Sequence, residues 1–249
     1  MIRMKISRVD HDNNDTPILS KNEIENFAHS ILTDYKPHLL KEPGAIKFQH
    51  FLENYLGVSL LFRDIYYDDP ESPIFGMTIF RDCTVQMFDR ENERVKHEII
   101  RKNSIIIDNY VMEPGREGFA NFTGIHEGGH YLIHPGVYST FKPGQICCRR
   151  ENLEGSGKAA IQGMYYNQWI EFQANYFTAC FTMPNTTFRP LVNDYLRKHD
   201  IWKGSITLGL NEDSDILGRH LLPEYVSEVY GVSKRAAFSK LKTNGFIVV

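Results

Sequence analysis

Five residues, His126-Glu127-Gly128-Gly129-His130, constrain this chain more than any others. They read H-E-x-x-H. On an α-helix, residues at i and i+4 point the same way, one turn apart, so two imidazoles at that spacing can converge on one metal ion. The Glu beside the first His then faces the open coordination position. There it can take a proton from metal-bound water, whose pKa the metal lowers. The plain alternative is a solvent-facing helical patch with two satisfied histidines.

A catalytic zinc usually takes three protein ligands and keeps a fourth position for water. The stretch 167–182 offers a third ligand. Ile170, Ala174, Phe177 and Phe181 recur at helical spacing as an apolar face. Glu171, Asn175 and Thr178 form a separate polar stripe. A carboxylate on so apolar a helix needs a partner, and a metal is a good one; otherwise Glu171 faces water. Asn175, one turn on, can orient a ligand through its other ring nitrogen, or be an ordinary surface residue.

His134 continues the i+4 series, but it lies ~12 Å along the axis from His126, against zinc–nitrogen bonds of ~2.1 Å. It is expected to cap the helix, touch substrate, or sit as a cation at the negative helix end. Cys147-Cys148 lacks the spacing of a structural zinc site, and no second pair accompanies it.

The remaining pattern is mixed α and β. Residues 1–19 are polar and read as a loosely packed arm. Ser20 and Glu23 form a capping-box pattern, followed by Ile24, Phe27, Ala28, Ile31 and Leu32 at helical spacing. Pro37 ends that helix, and a second is expected over 45–55, stopped by Gly57. Strands are expected at 58–62, 74–80, 84–88 and 105–107. Helices follow over 117–134, stopped by Pro135-Gly136, and over 167–182. The last third reads as short helices. Within it, 223–242 has a helix-turn-helix pattern with Lys234, Arg235, Lys240 and Lys242 on or near its second helix.

Composition narrows the function classes. A net charge of −3, from 28 basic and 31 acidic residues, argues against general nucleic-acid coating. No apolar run approaches the ~20 residues of a membrane span. The N-terminal residues show no apolar export region, so the cysteines are expected reduced and the chain cytoplasmic.

Phe122-Thr123-Gly124-Ile125-His126-Glu127-Gly128-Gly129-His130 resembles the F-T-x-x-H-E-x-G-H segment of the ImmA/IrrE family of metallo-endopeptidases. Glu171-Phe172-Gln173-Ala174-Asn175-Tyr176-Phe177, closing with Met183-Pro184, resembles that family's E-x-Q/E-A-N-x-F…M-P segment. The strand at Ile105-Ile106-Ile107-Asp108 fits as well. The resemblance covers roughly residues 20–245 and is strongest at 104–184. It departs at Gly128, where the family carries a bulky apolar residue, and at Phe181-Thr182, which replace Leu-Leu.

The resemblance implies an α+β, zincin-like metallopeptidase domain over 20–217, after the arm at 1–19, with a helix-turn-helix-like segment at 218–249. It implies His126, His130 and Glu171 as ligands of one divalent metal, zinc before manganese, and Glu127 as general base. Such proteins are typically cytosolic regulators of bacteria or mobile genetic elements that cleave a repressor, often a helix-turn-helix protein. Tyr165, Tyr166, Tyr176 and His134 are candidates for steadying the oxyanion. The alternative is a catalytically silent zincin-fold regulator binding DNA or protein through 223–242. Direct DNA contact is the less favoured use of that segment, and no membrane partner is expected.

Overall fold

A computed structural model describes residues 4, 6–10, 16–138, 145–149 and 166–249 of the chain. The elements fall into a sheet with a hairpin on one face, helices on the other, and a helical C-terminal third.

The N-terminal arm contributes a short ribbon, β1 (Val9–Asp10) antiparallel to β2 (Thr16–Pro17). Thr16 is buried, so this part of the arm is packed rather than loose. Helix α1 (Lys21–Tyr35) starts at the foreseen capping box. Ser20 Oγ accepts from the Glu23 amide at 3.2 Å, and Glu23 Oε2 accepts from the Ser20 amide at 2.7 Å. Its apolar positions, Ile24, Phe27, Ala28, Ile31 and Leu32, are buried as the spacing demands. Pro37 does not simply end the helix; it opens a 3-10 turn, Pro37–Leu40. The helix expected over 45–55 begins three residues later, continues as a π-helix over His50–Leu56, and stops at Gly57 in the left-handed region (φ 67°).

The main sheet contains β3 (Ser59–Arg63), β4 (Ile74–Ile79), β7 (Ser104–Asp108) and β8 (Gln145–Arg149), in the order β3-β7-β4-β8. Strands β3 and β7 run parallel, with Leu60 opposite Ile105. Strand β4 is antiparallel to both neighbours, with Met77 opposite Ile106 and Cys147. Every residue of β4 and β7 is buried, because both faces are covered. One cover is the hairpin of β5 (Cys83–Asp89) and β6 (Arg94–Ile100). Its Val85, Met87 and Ile100 join Met77, Ile79 and Ile106 in one apolar cluster. Strand β6 was not foreseen. Arg94, Lys96 and Glu98 interrupt its apolar pattern, and pairing with β5 sets it as a strand.

The other cover is helical. Helix α2 (Glu117–Ile133) lies against β4 and packs on α4 (Tyr166–Thr182), which also packs on α1. Asp108, at the end of β7, aims the chain into α2: its carboxylate accepts from the Ile65 amide at 2.7 Å and the Tyr110 amide at 2.9 Å. Pro135 opens a short helix, α3 (Pro135–Tyr138), instead of stopping the chain in a turn.

The C-terminal third has its own apolar cluster. It draws on α5 (Asn185–Lys198), the stretch from α6 (Glu212–Ile216) through α7 (Leu222–Tyr230), α8 (Lys234–Thr243), and the parallel pair β9 (Ile206–Thr207) and β10 (Ile247–Val248). Gly231, in the left-handed region, joins α7 to α8. This turn is docked on the rest of the molecule: Asn121 of α2 donates through Nδ2 to the Gly231 carbonyl at 2.9 Å.

Candidate metal centre

The centre is built where α2 crosses α4 above β4. The i, i+4 spacing places the rings of His126 and His130 edge to face, 4.5 Å apart. Their Nε2 atoms face each other at 2.9 Å. Glu171, from α4, meets them: Oε2 lies 3.1 Å from His126 Nε2, and Oε1 lies 3.4 Å from His130 Nε2. Glu171, 41 positions after His130, thus stands on the adjacent helix.

His126, Glu127 and His130 are fully buried and Glu171 is 6% exposed. A buried carboxylate facing two imidazoles raises the question of what holds it. Glu171 Oε2 and Glu127 Oε1 are buried without a hydrogen-bond partner. His126, His130 and Glu171 each offer a ligand atom, and these atoms lie within 4.8 Å of one another. Two imidazole nitrogens and a carboxylate form a donor set suited to a divalent transition ion. The residues therefore fit a metal.

The electrostatics lean the same way. Burial pushes the Glu171 carboxyl up, but the two imidazoles outweigh it and hold the group down at about 2. Burial disfavours a proton on His126, yet the carboxylates of Glu171 and Glu127 raise it overall. Burial wins at His130 and lowers it. The cluster thus attracts positive charge, which a metal ion can supply in place of a proton.

Glu127 lies against β4, within electrostatic reach of His126 and Glu171. Its Oε2 accepts from Thr78 Oγ1 at 2.5 Å. Burial pushes its carboxyl up to about 8, against smaller opposing effects from His126 and Thr78. Thr78 was not singled out from the sequence, where it is one residue of an apolar strand.

Asn175 lies beside the cluster, with Oδ1 2.9 Å from His126 Nδ1. His134 is the C-cap residue of α2, one of the places expected for it. It is fully buried, its Nδ1 is 3.0 Å from His130 Nδ1, and its Nε2 is 2.9 Å from Gln173 Oε1. Burial holds its pKa well below the ordinary histidine range, so it is not the helix-end cation that its position suggested. Gln173, which the sequence showed only as part of the family motif, donates in turn to the Pro17 carbonyl at 2.6 Å. The signals were present: His134 repeats the i+4 spacing, and Gln173 stands two residues after Glu171.

Of the oxyanion candidates, Tyr176 is half-buried beside Cys180 and Glu25, and burial together with their influence raises its pKa. The side chains of Tyr165 and Tyr166 lie outside the described residues, as do those of Cys147 and Cys148. Gly128 has a packing reason that spacing cannot reveal. A Cβ there would lie 2.9 Å from Phe51 Cε1 and 3.0 Å from Leu52 Cδ2, so the His50–Leu56 helix occupies the room a larger residue would take.

Among the described residues, no helix is long and apolar enough to cross a membrane. A family model described as Peptidase_M78, IrrE N-terminal-like domain, matches residues 82–242. No curated protein matches the chain.

Proposed function

The chain belongs to the IrrE N-terminal-like peptidase family, and from that premise we propose that it is a metal-dependent endopeptidase with Glu127 as its general base. The observation that carries this reading is the convergence of His126, His130 and Glu171 on one point, with Glu127 next to His126 in the chain and within electrostatic reach of His126 and Glu171. A divalent ion held by those three residues, zinc before manganese, would polarise a peptide carbonyl and a water molecule.

Glu127 then does the proton work. Thr78 holds its Oε2, which leaves the unpartnered Oε1 to take the proton from the attacking water. The same oxygen hands it to the departing amine. Burial raises the proton affinity of this carboxyl, and a stronger base takes a proton from water more readily.

The substrate on this reading is a protein, in particular a DNA-binding repressor of the helix-turn-helix type, cleaved in the cytoplasm as a regulatory step. The segment 218–249 serves packing or substrate recognition rather than DNA reading. Its turn is docked on Asn121, Lys240 is buried, and Lys234 is paired with Glu224 at 2.7 Å. Too few free cations remain there to hold a phosphate backbone firmly.

Elemental analysis of wild type and Glu171→Ala tests the site: about one equivalent of metal, lost in the variant, is the expected result. Glu127→Gln should keep the metal and lose proteolysis. Metal-free wild type after reconstitution, or proteolysis that survives Glu127→Gln, overturns the proposal.

A further inference from the structure

The chain of contacts behind His130 runs away from the metal cluster, through α4, into the N-terminal ribbon. It consists of His130 Nδ1 to His134 Nδ1 (3.0 Å), His134 Nε2 to Gln173 Oε1 (2.9 Å), and Gln173 Nε2 to the Pro17 carbonyl (2.6 Å). His130, His134 and Gln173 are all at most 1% exposed, so water does not compete for these atoms.

We propose that His134 and Gln173 are positioning residues for His130, and that the Pro17 carbonyl of the N-terminal ribbon sets the direction of the relay. The inference rests on the metal reading above and deepens it.

Donors and acceptors fix the arrangement. A backbone carbonyl can only accept, so the Gln173 carboxamide must turn its NH₂ to Pro17. That turns Oε1, which can only accept, to His134. His134 therefore carries its hydrogen on Nε2, and its Nδ1 is a bare lone pair. Facing that lone pair, His130 must carry its hydrogen on Nδ1. Its Nε2 is then bare and directed at His126 and Glu171, as a metal ligand requires. No link can be reversed without leaving two acceptors or two donors face to face in the interior.

This gives β2 a role that its position, more than 100 residues before the H-E-x-x-H helix, does not suggest. It anchors the ligand helix pair through one carbonyl, and Thr16 and Pro17 are buried where they do so. It also explains a buried histidine that cannot reach the metal.

Two measurements test it. The first is zinc affinity, by competition with a chromophoric chelator, for wild type, His134→Phe and Gln173→Leu. Both variants are expected to bind zinc about 10–100-fold more weakly, the usual loss when a ligand's outer partner is removed. His134→Gln, whose carboxamide oxygen can still accept from His130 Nδ1, should recover part of the loss. A purely structural role would lower the melting temperature of the metal-free protein and leave zinc affinity unchanged. The second measurement is histidine side-chain ¹⁵N NMR on wild type, which needs no variant to fold. It should find the hydrogen on Nδ1 of His130 and on Nε2 of His134. The reverse tautomer at His134, or undiminished zinc affinity in folded variants, overturns the relay while leaving the metal site intact. Failure of wild type itself to bind zinc overturns the metal reading and the relay together.

Discussion

Gly76 lies directly beneath Glu127. A Cβ at position 76 would stand 2.7 Å from Glu127 Oε1, closer than real side chains approach one another. The glycine in an otherwise bulky strand therefore makes room for the carboxylate. Two residues along, Thr78 binds the other oxygen of the same carboxylate. Strand β4 thus shapes the seat of the proposed base from below, while α2 presents it from above.

Replacing Gly76 with Ala should displace Glu127 without touching a ligand. A shift of under an ångström at a reacting group can cost up to about 100-fold in rate. Gly76→Ala is expected to lower proteolysis of the cognate substrate at least about tenfold while metal content stays at wild-type level. Full activity in a folded variant would show that the carboxylate tolerates the contact.

Metal should stabilise the fold by mass action, since the three proposed ligands come from two helices that only the native state brings together. At a free zinc concentration 100 times the dissociation constant, the gain is about 2.7 kcal/mol. For a chain of this size that corresponds to roughly 5–11 °C in melting temperature. Chelation should reverse the shift, and Glu171→Ala should show none. Thermal melts with and without zinc decide it.

Lys240 gives a pH dependence with a definite sign. It is 5% exposed, lies 3.9 Å from Cys180 Sγ, and sits over the Phe188 ring at 5.8 Å. Burial lowers its pKa, against the raising influence of Cys180 and Glu25; Arg189 adds to the lowering. A lysine whose folded pKa is depressed costs stability while it is charged. That cost is fully present below the folded pKa and is relieved as pH rises toward the unfolded value, ~10.4. Lys240→Met should therefore melt higher than wild type near pH 7, by about 2–4 °C for each kcal/mol gained. The gap should narrow between neutral and pH ~10. A gap that widens with pH would reverse the sign and refute the assignment.

Gly128→Ala tests the packing account of the H-E-x-x-H helix. Helix propensity alone favours Ala by about 1 kcal/mol. The new methyl would meet Phe51 and Leu52 at 2.9–3.0 Å, and overpacking of this kind costs about 1–3 kcal/mol. Denaturant titration should show a net loss in the wild-type background. In a Phe51→Leu background, the same substitution should be neutral or stabilising.

Much of this protein is legible in one dimension. The capping box at Ser20 and Glu23, the apolar face of α1 and the stop at Gly57 depend on neighbours within a few residues, so spacing reveals them. The His126/His130 pair belongs to the same class, because i and i+4 meet on any helix. Elements whose stability comes from a partner were missed or misplaced. Strand β6 carries charges at alternate positions, and its place is set by pairing with β5.

The sequence by itself determined which residues can face one another along each helix: His126 with His130, and Glu171 with Asn175. Local backbone geometry decides that, and the family's two motifs name the same residues. Tertiary structure alone decided what lies across from them. It set Gly76 and Thr78 against Glu127, Phe51 in the space beside Gly128, and Pro17 behind His130 through Gln173 and His134. The longest of those contacts joins positions 156 residues apart, and all of them obey close packing and buried hydrogen-bond pairing, neither of which has a period in the sequence.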